Sequence, residues 1–245
     1  METLFISDIH LNETRPDIVH IFLNFLYEHA AYADALYILG DLFEIWIGDD
    51  YHTDLHQMII DALKILTNNG LPIYFMRGNR DFLIGKKFLT ATGCKLLKDP
   101  TRIDLYGTPV VLTHGDLLCT QDKQYQRTRK LARNRFLQYL FLLCPLNKRF
   151  EIARKYRLKS QRMTRLKTKI TMDVTQNAIN KMMIKKKAYT LIHGHTHHPD
   201  VHHFALNRKN ATRLVLGSWE QYGSFLNCRA DEITQTLSFQ PQSVL

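Results

Sequence analysis

No stretch of this 245-residue chain is apolar enough for long enough to cross a bilayer. The longest apolar-rich stretch, Phe136 to Pro145, spans ten residues, about half of what a membrane helix needs. Met1-Glu2-Thr3 offers no basic leader before the first apolar run, so no signal peptide is expected. Cysteine is scarce: Cys94, Cys119, Cys144 and Cys228 lie far apart and form no CxxC pair. That excludes a disulfide frame or a zinc knot and implies reduced thiols in a cytoplasmic protein. The 45% hydrophobic and 23% charged residues are ordinary for a soluble globular chain, not for a disordered tail, a collagen-like repeat or a polytopic membrane protein. At about 150 residues per domain, the length suits one large domain or one domain with an insertion.

A second absence divides the chain. None of the eleven glycines falls between Gly115 and Gly194, and Pro145 is the only proline there. Acids are missing from the same region: residues 121–187 carry 20 Lys/Arg against Asp122, Glu151 and Asp173, a net of +17, whereas the remaining residues carry a net of −7. Few breakers, with Lys, Arg, Leu and Gln abundant, predict helices. Residues 121–187 therefore read as a basic helical insertion, broken near Pro145, in a core made of residues 1–120 and 188–245.

Outside the insertion one pattern recurs: a short apolar run, then a residue able to bind metal. Leu4-Phe5-Ile6 leads to Asp8 and His10, and Leu36-Tyr37-Ile38-Leu39 leads to Asp41. Ile73-Tyr74-Phe75-Met76 leads to Asn79, Val110-Val111-Leu112 to His114, and Leu191-Ile192 to His195 and His197. Such runs read as buried strands, and the stretches 15–30 and 53–68 have helical periodicity. Alternating strands and helices imply a layered α/β fold whose ligands gather beyond the strand carboxyl ends. Five distant segments would then converge on one rim. Carboxylate, imidazole and amide oxygen together suit a borderline-to-hard divalent ion. Seven donors suit two ions sharing one carboxylate, about 3.5–4 Å apart, the arrangement that polarises a phosphoryl oxygen and activates a water for in-line attack.

Asp8-x-His10, Gly40-Asp41, Gly78-Asn79, His114 and Gly194-His195-x-His197 resemble the motifs of the calcineurin-like metallophosphoesterases, over residues 1–120 and 188–219. The resemblance implies a four-layer α/β/β/α sandwich with a helical lid insertion and two metals. Asp8, His10, Asp41 and His197 would hold one ion; Asp41, Asn79, His114 and His195 would hold the other. The family usually has histidine directly after the motif asparagine, where this chain has Arg80. A guanidinium forks onto phosphate oxygens, and a departing phosphate, unlike an alkoxide, needs no proton.

Within the family, Gly78-Asn79-Arg80-Asp81-Phe82-Leu83, Asp41-Leu42-Phe43-Glu44-x-Trp46-x-Gly48-Asp49-Asp50, His114-Gly115-Asp116 and the basic insertion are similar to the branch that cleaves the pyrophosphate of UDP-2,3-diacylglucosamine in lipid A biosynthesis. That similarity implies two Mn2+ per chain, attack by hydroxide on the α-phosphorus, and release of UMP and 2,3-diacylglucosamine 1-phosphate (lipid X). It makes Asp41, Asn79, Arg80 and His195 catalytic, and it carries substrate contacts to Asn79, Arg80, Asp122, Ser160, Thr164, Lys167 and His195. The branch often has asparagine where this chain has Thr164.

An acylated nucleotide sugar needs a site both greasy and cationic. Phe136, Leu137, Tyr139, Leu140, Phe141, Leu142 and Leu143 nearly surround one short helix, so part of that surface is expected to line an acyl pocket or touch a bilayer; Trp46, Phe82 and Leu83 are candidates for the same cavity. Of the cations that follow, from Arg149 to Lys169, most are expected to be solvated and to attract anionic headgroups, and Arg157 and Lys167 to reach substrate phosphates. That balance leads us to expect peripheral association with the cytoplasmic membrane face, which the resemblance to a lipid A enzyme makes the inner membrane of a Gram-negative bacterium, with no nucleic acid and no obligate protein partner expected. The rivals are a nuclease or nucleotide phosphodiesterase of the same fold and a non-catalytic scaffold. Aromatics in the insertion cluster with leucines instead of alternating with Lys/Arg as base-stacking platforms would, and none of the seven donors is missing.

Overall fold

Period-2 alternation in the apolar runs decides the architecture. In β1 (Glu2–Ile6), Phe5 faces one way and Leu4 and Ile6 the other; in β2 (Ala35–Ile38), Tyr37 opposes Leu36 and Ile38. A strand apolar on both faces must be covered twice. The computed structural model describes residues 1–165, 172–230 and 237–245, and it covers each face separately. One sheet runs in the order β11-β10-β1-β2-β3-β4, with β3 at Ile73–Met76, β4 at Lys95–Leu97, β10 at Gly223–Ala230 and β11 at Leu237–Val244. The other runs β5-β6-β7-β9-β8, with β5 at Thr101–Leu105, β6 at Thr108–Thr113, β7 at Thr190–His193, β8 at Asp200–Leu206 and β9 at Lys209–Val215.

Between the sheets Phe5, Tyr37, Leu39 and Met76 pack on Val110, Leu112, Ile192 and Leu214. The outer face of the first sheet is sealed by α1 (Pro16–Glu28), α2 (Asp54–Asn68) and α3 (Lys86–Thr92), whose Phe22, Phe25, Ile59, Leu63 and Phe88 meet Leu4, Ile6, Leu36, Ile38 and Phe75. Each such fully buried side chain stabilises by about 1.5–3 kcal/mol. The fourth layer is α7 (Gln176–Lys186), which packs Ile179 and Met183 on Val111, Leu191 and Ala211. The four-layer α/β/β/α sandwich is thereby built.

The core reaches further back than the composition suggested. Helix α7 lies inside the stretch 121–187 read as insertion, yet its apolar face closes the second sheet while its Lys side is wet. Net charge records the wet side and is blind to the buried one. The other helices of that stretch, among the described residues, are α4 (Lys123–Ala132), α5 (Arg135–Leu143) and α6 (Leu146–Arg165). Asn134 caps α5 by accepting from the Phe136 and Leu137 N–H groups. The chain leaves α5 at Cys144-Pro145, where the ring disfavours helical backbone in the residue before it.

Topology explains the rim. Strands β1, β2 and β3 are mutually parallel, as are β6, β7 and β9. The loops after β1, β2, β3, β6 and β7 therefore open at one end of the sandwich and carry all seven donors. The four cysteines are free thiols.

Candidate metal centre

The loops that carry the donors are held in unusual backbone. Asp8, His10 and Asp41 sit at φ 55°, His197 at 59° and His195 at 72°, a left-handed region where Asp, Asn and His are the commonest non-glycine residues. Such residues cost about 1–3 kcal/mol each and persist where surroundings over-determine them. Here the loops lace each other: the Asp8 N–H donates to Gly40 O (3.1 Å), His10 N–H to Asp41 O (3.0 Å) and Gly194 N–H to His114 O (2.9 Å). The motif glycines let them interlock. A Cβ on Gly78 would lie 2.1 Å from Asp41 Oδ1, and one on Gly194 would lie 2.1 Å from Ser7 Oγ and 2.2 Å from Asp8 Oδ2.

This packing brings the seven expected donors together around Asp41. Asp41 Oδ2 is 3.8 Å from His10 Nε2, and its Oδ1 is 3.8 Å from His114 Nε2, so the carboxylate turns one oxygen to each side. On the His10 side, His10 Nε2 and His197 Nε2 are 3.4 Å apart, and His197 Nε2 is 3.5 Å from Asp8 Oδ1. On the His114 side, Asn79 Oδ1 is 2.8 Å from both His114 Nε2 and His195 Nδ1. Two groups of three, Asp8-His10-His197 and Asp8-Asp41-His114, each place their donor atoms within 4.8 Å of one another.

The residues fit a metal pair. Asp8 is fully buried; its Oδ2 accepts from Ser7 Oγ (2.6 Å) and the His195 N–H (2.8 Å), while its Oδ1 is buried without a hydrogen-bond partner. A buried carboxylate oxygen left bare is costly unless a cation meets it. His114 Nδ1 lies 2.9 Å from the Leu39 carbonyl, an acceptor that fixes the proton there and leaves Nε2 for the cluster. In the metal-free protein, burial opposes charge on His114, but Asp41, Asp116 and Asp8 carry it up to about 9. Burial also opposes charge on Asp8, yet the His197 ring beside it and the fields of His114 and His10 hold it well below the usual carboxylate range. Burial lowers His195 to about 4, so that ring is neutral at pH 7.

Two cavities open from the cluster. One, of about 670 Å³, is lined by His10, Asp41, Asn79, Arg80, His195 and His197 on the core side and by Asp122, Tyr125, Lys159 and Ser160 on the insertion side. The other, of about 330 Å³ and mostly apolar, is lined by Trp46, Phe82, Leu83, Leu137, Phe141 and Ile152 among others. They share Asn79, Arg80, Thr128 and Tyr156. Arg80 donates its backbone N–H to Asp41 Oδ1 (2.8 Å), and its side-chain Nε is buried and unpaired at that junction.

Of the remaining expected contacts, Asp122 and Ser160 line the larger cavity, and Asp122 Oδ1 also caps α4 by accepting from the Tyr125 N–H (3.0 Å). Lys167 and the side chain of Thr164 lie outside the described residues. Two cations differ from expectation: Arg149 is buried instead of solvated, and Arg157 pairs with Glu44 instead of standing free for phosphate.

Other residues at the site went unassigned from sequence. Buried Asp81 accepts from Gly78 N–H (2.7 Å) and Leu42 N–H (2.8 Å), tying the Asn79 loop to the Asp41 loop; burial and nearby Asp41 raise it to about 6. Asp116 accepts from Tyr125 Oη (3.0 Å) and Arg129 Nε (2.6 Å), and Arg133 of the next turn reaches the Gly78 carbonyl (3.0 Å). Of these only Asp81 and Asp116 had a legible signal, their position inside the motifs two residues past Asn79 and His114.

The calcineurin-like phosphoesterase family model matches residues 1–199. The chain belongs to that family. This phosphoesterase is 50% identical over 231 residues to a protein of Photobacterium profundum, covering 94% of each chain. It is 48% identical to one of Serratia proteamaculans, over 95% of this chain and 97% of that one. With one of Aeromonas hydrophila subsp. hydrophila it shares 49% identity, over 95% and 96%. All three are named UDP-2,3-diacylglucosamine hydrolase. It is a metal-dependent hydrolase with a site compatible with two metal ions.

Proposed function

We propose that this phosphoesterase hydrolyses the pyrophosphate bond of UDP-2,3-diacylglucosamine, giving UMP and 2,3-diacylglucosamine 1-phosphate for lipid A. The observation that carries the reading is the meeting of a polar and an apolar cavity at Asn79 and Arg80, beside the donor cluster. Such a substrate is divided in the same way, with greasy acyl chains on one side of a pyrophosphate and a nucleoside on the other. The names of relatives near 50% identity support it independently.

Two Mn2+ ions are proposed, one held by Asp8, His10, Asp41 and His197, the other by Asp41, Asn79, His114 and His195. When bound, the pair supplies Lewis acidity and a nucleophilic water at neutral pH. The chain itself does the rest. The buried, unpaired Nε of Arg80 offers a charged donor to the phosphate oxygens, where charge builds in the transition state. Asn79 and His195 flank it. Asp122, Ser160, Thr164 and Lys167 are proposed to bind the polar part of the substrate. The leaving group is a stable phosphate anion, so no proton donor is needed where Arg80 stands.

Helices α4–α6 are proposed as the lid. Among the described residues no helix is long and apolar enough to cross a membrane. Helix α5, however, leaves Phe136 67% and Leu143 64% exposed beside the cations of α6. That pairing suits peripheral attachment to the anionic cytoplasmic face of the inner membrane of a Gram-negative bacterium. The test is UMP release from UDP-2,3-diacylglucosamine with Mn2+ and with chelator, alongside UDP-N-acetylglucosamine and single-stranded DNA. Metal-dependent cleavage of the acylated compound alone is expected. Cleavage of DNA would make the protein a nuclease of the same fold, and no turnover of any of them would leave a scaffold.

A further inference from the structure

Glu44 stands between the donor cluster and the lid, and touches both. It follows β2 on the loop that carries Asp41, and its backbone N–H donates to Leu11 O (3.0 Å), binding that loop to the one that carries His10. One carboxylate oxygen, Oε2, is 3.0 Å from His10 Nδ1. The opposite ring nitrogen, Nε2, faces His197 and Asp41. The other oxygen, Oε1, pairs with the Arg157 guanidinium, which α6 supplies from 113 positions along the chain. Both side chains are largely covered, at 15% and 24% exposed.

We propose that Glu44 is a positioning residue that fixes His10 with one carboxylate oxygen and seats helix α6 through Arg157 with the other. The argument rests on what an imidazole must do to ligate. It needs a lone pair toward the ion and a proton on the far nitrogen, and an acceptor at that nitrogen sets both the tautomer and the ring plane. Glu44 Oε2 is a charged acceptor 3.0 Å from His10 Nδ1, and that buried nitrogen makes no hydrogen bond in the structure. A carboxylate has capacity for two donors, and here the second donor is the lid. Withdrawal of Arg157 therefore leaves Glu44 free to turn, and loss of Glu44 loosens His10 and α6 together. Glu44 also lines the apolar cavity, so seating α6 shapes the acyl side of the site from the metal side. The inference rests on the reading that His10 holds an ion.

The experiment is titration of the metal-stripped full chain with Mn2+, following the free ion by electron paramagnetic resonance, with hydrogen exchange of residues 146–165 measured in parallel. Wild type should bind two ions. Glu44→Ala should weaken one of them 10–100-fold, the range for losing an outer partner of a ligating histidine, and leave the other near its wild-type affinity. Glu44→Gln should fall between, because its amide oxygen still accepts from Nδ1–H, and this near-isosteric variant carries the test if the alanine variant fails to fold. Exchange in α6 should rise in both Glu44→Ala and Arg157→Ala, with no further rise when they are combined. Two-site Mn2+ binding unchanged in Glu44→Ala would overturn the proposal, as would an α6 equally protected in all variants. Failure of wild type itself to bind Mn2+ would instead remove the metal-centre reading, and this proposal with it.

Discussion

Replacing Arg149 by alanine should undock helices α5 and α6 without unfolding the sandwich. Its side chain is 3% exposed and donates to the Ile47 carbonyl (2.9 Å), the Cys144 carbonyl (3.0 Å) and the Asp50 carboxylate (2.7 Å, with a second contact). Asp50 is 46% exposed, so that ion pair contributes at most about 1 kcal/mol. The Cys144 carbonyl belongs to the junction itself, so only the Ile47 carbonyl and Asp50 join it to the core. A carbonyl bonded to a charged donor adds about 1.5–3 kcal/mol, so roughly 1.5–4 kcal/mol holds the α5–α6 junction to the loop 47–50. Loss of these crossing contacts falls on a local opening equilibrium. Even about 1.5 kcal/mol multiplies the open population by about 10-fold. Hydrogen-exchange mass spectrometry should show faster exchange across residues 135–165 in Arg149→Ala, with β1–β3 unchanged. KM for the acylated substrate should rise more than kcat falls. Arg149→Lys should recover little, since one ammonium cannot span three acceptors. Gly48→Ala should resemble Arg149→Ala, because Gly48 sits at φ +136° and a Cβ there would lie 2.6 Å from Arg149 Nη1. The Asp50 share has a pH signature. Its carboxyl is held below its usual range by the Arg149 bond, against burial, so that share is present above the unfolded pKa and lost as pH falls through the lowered one. Wild-type exchange rates in Arg149→Ala would refute the docking argument.

Asp41→Ala should abolish turnover and Mn2+ binding together, since its two oxygens face both donor sets; isothermal titration that still shows two ions would remove the shared-carboxylate geometry. Arg80→Ala should retain both ions and slow hydrolysis by about 10²–10³-fold, the usual loss for one donor aimed at developing charge; unchanged kcat would take Arg80 out of the mechanism. Metal binding should release protons and tighten as pH rises toward 9. His114 is raised to about 9 in the metal-free protein, and only neutral imidazole ligates. Calorimetry in buffers of different ionisation enthalpy reads that release, and equal heats at pH 7 would contradict it.

The gathering of the seven candidate donors was legible because each follows a strand that period-2 apolar runs announce, and because parallel strands deliver their carboxyl ends to one rim. The break between α5 and α6 was legible from Pro145. What charge counting misread was α7: Ile179 and Met183 are two residues among many lysines, yet they decide that the helix covers a sheet. The edge strands β4, β5 and β8 gave little signal, because half-exposed strands mix polar and apolar residues as loops do. Arg149 looked like a member of a solvated cationic face and Arg157 like a phosphate ligand, whereas one is buried and the other pairs with Glu44.

By itself the sequence determined which seven side chains are candidate donors, the kind of ion such a set would suit, and the helical character of residues 123–165, all of which depend on side-chain chemistry and local period. Only the tertiary structure decided which charges are buried and with whom. Asp50 meets Arg149 across 99 positions, Glu44 meets Arg157 across 113, and Asp8 meets His197 across 189. No local period encodes such pairs, because they are set by how the sheets stack and where the lid comes to rest.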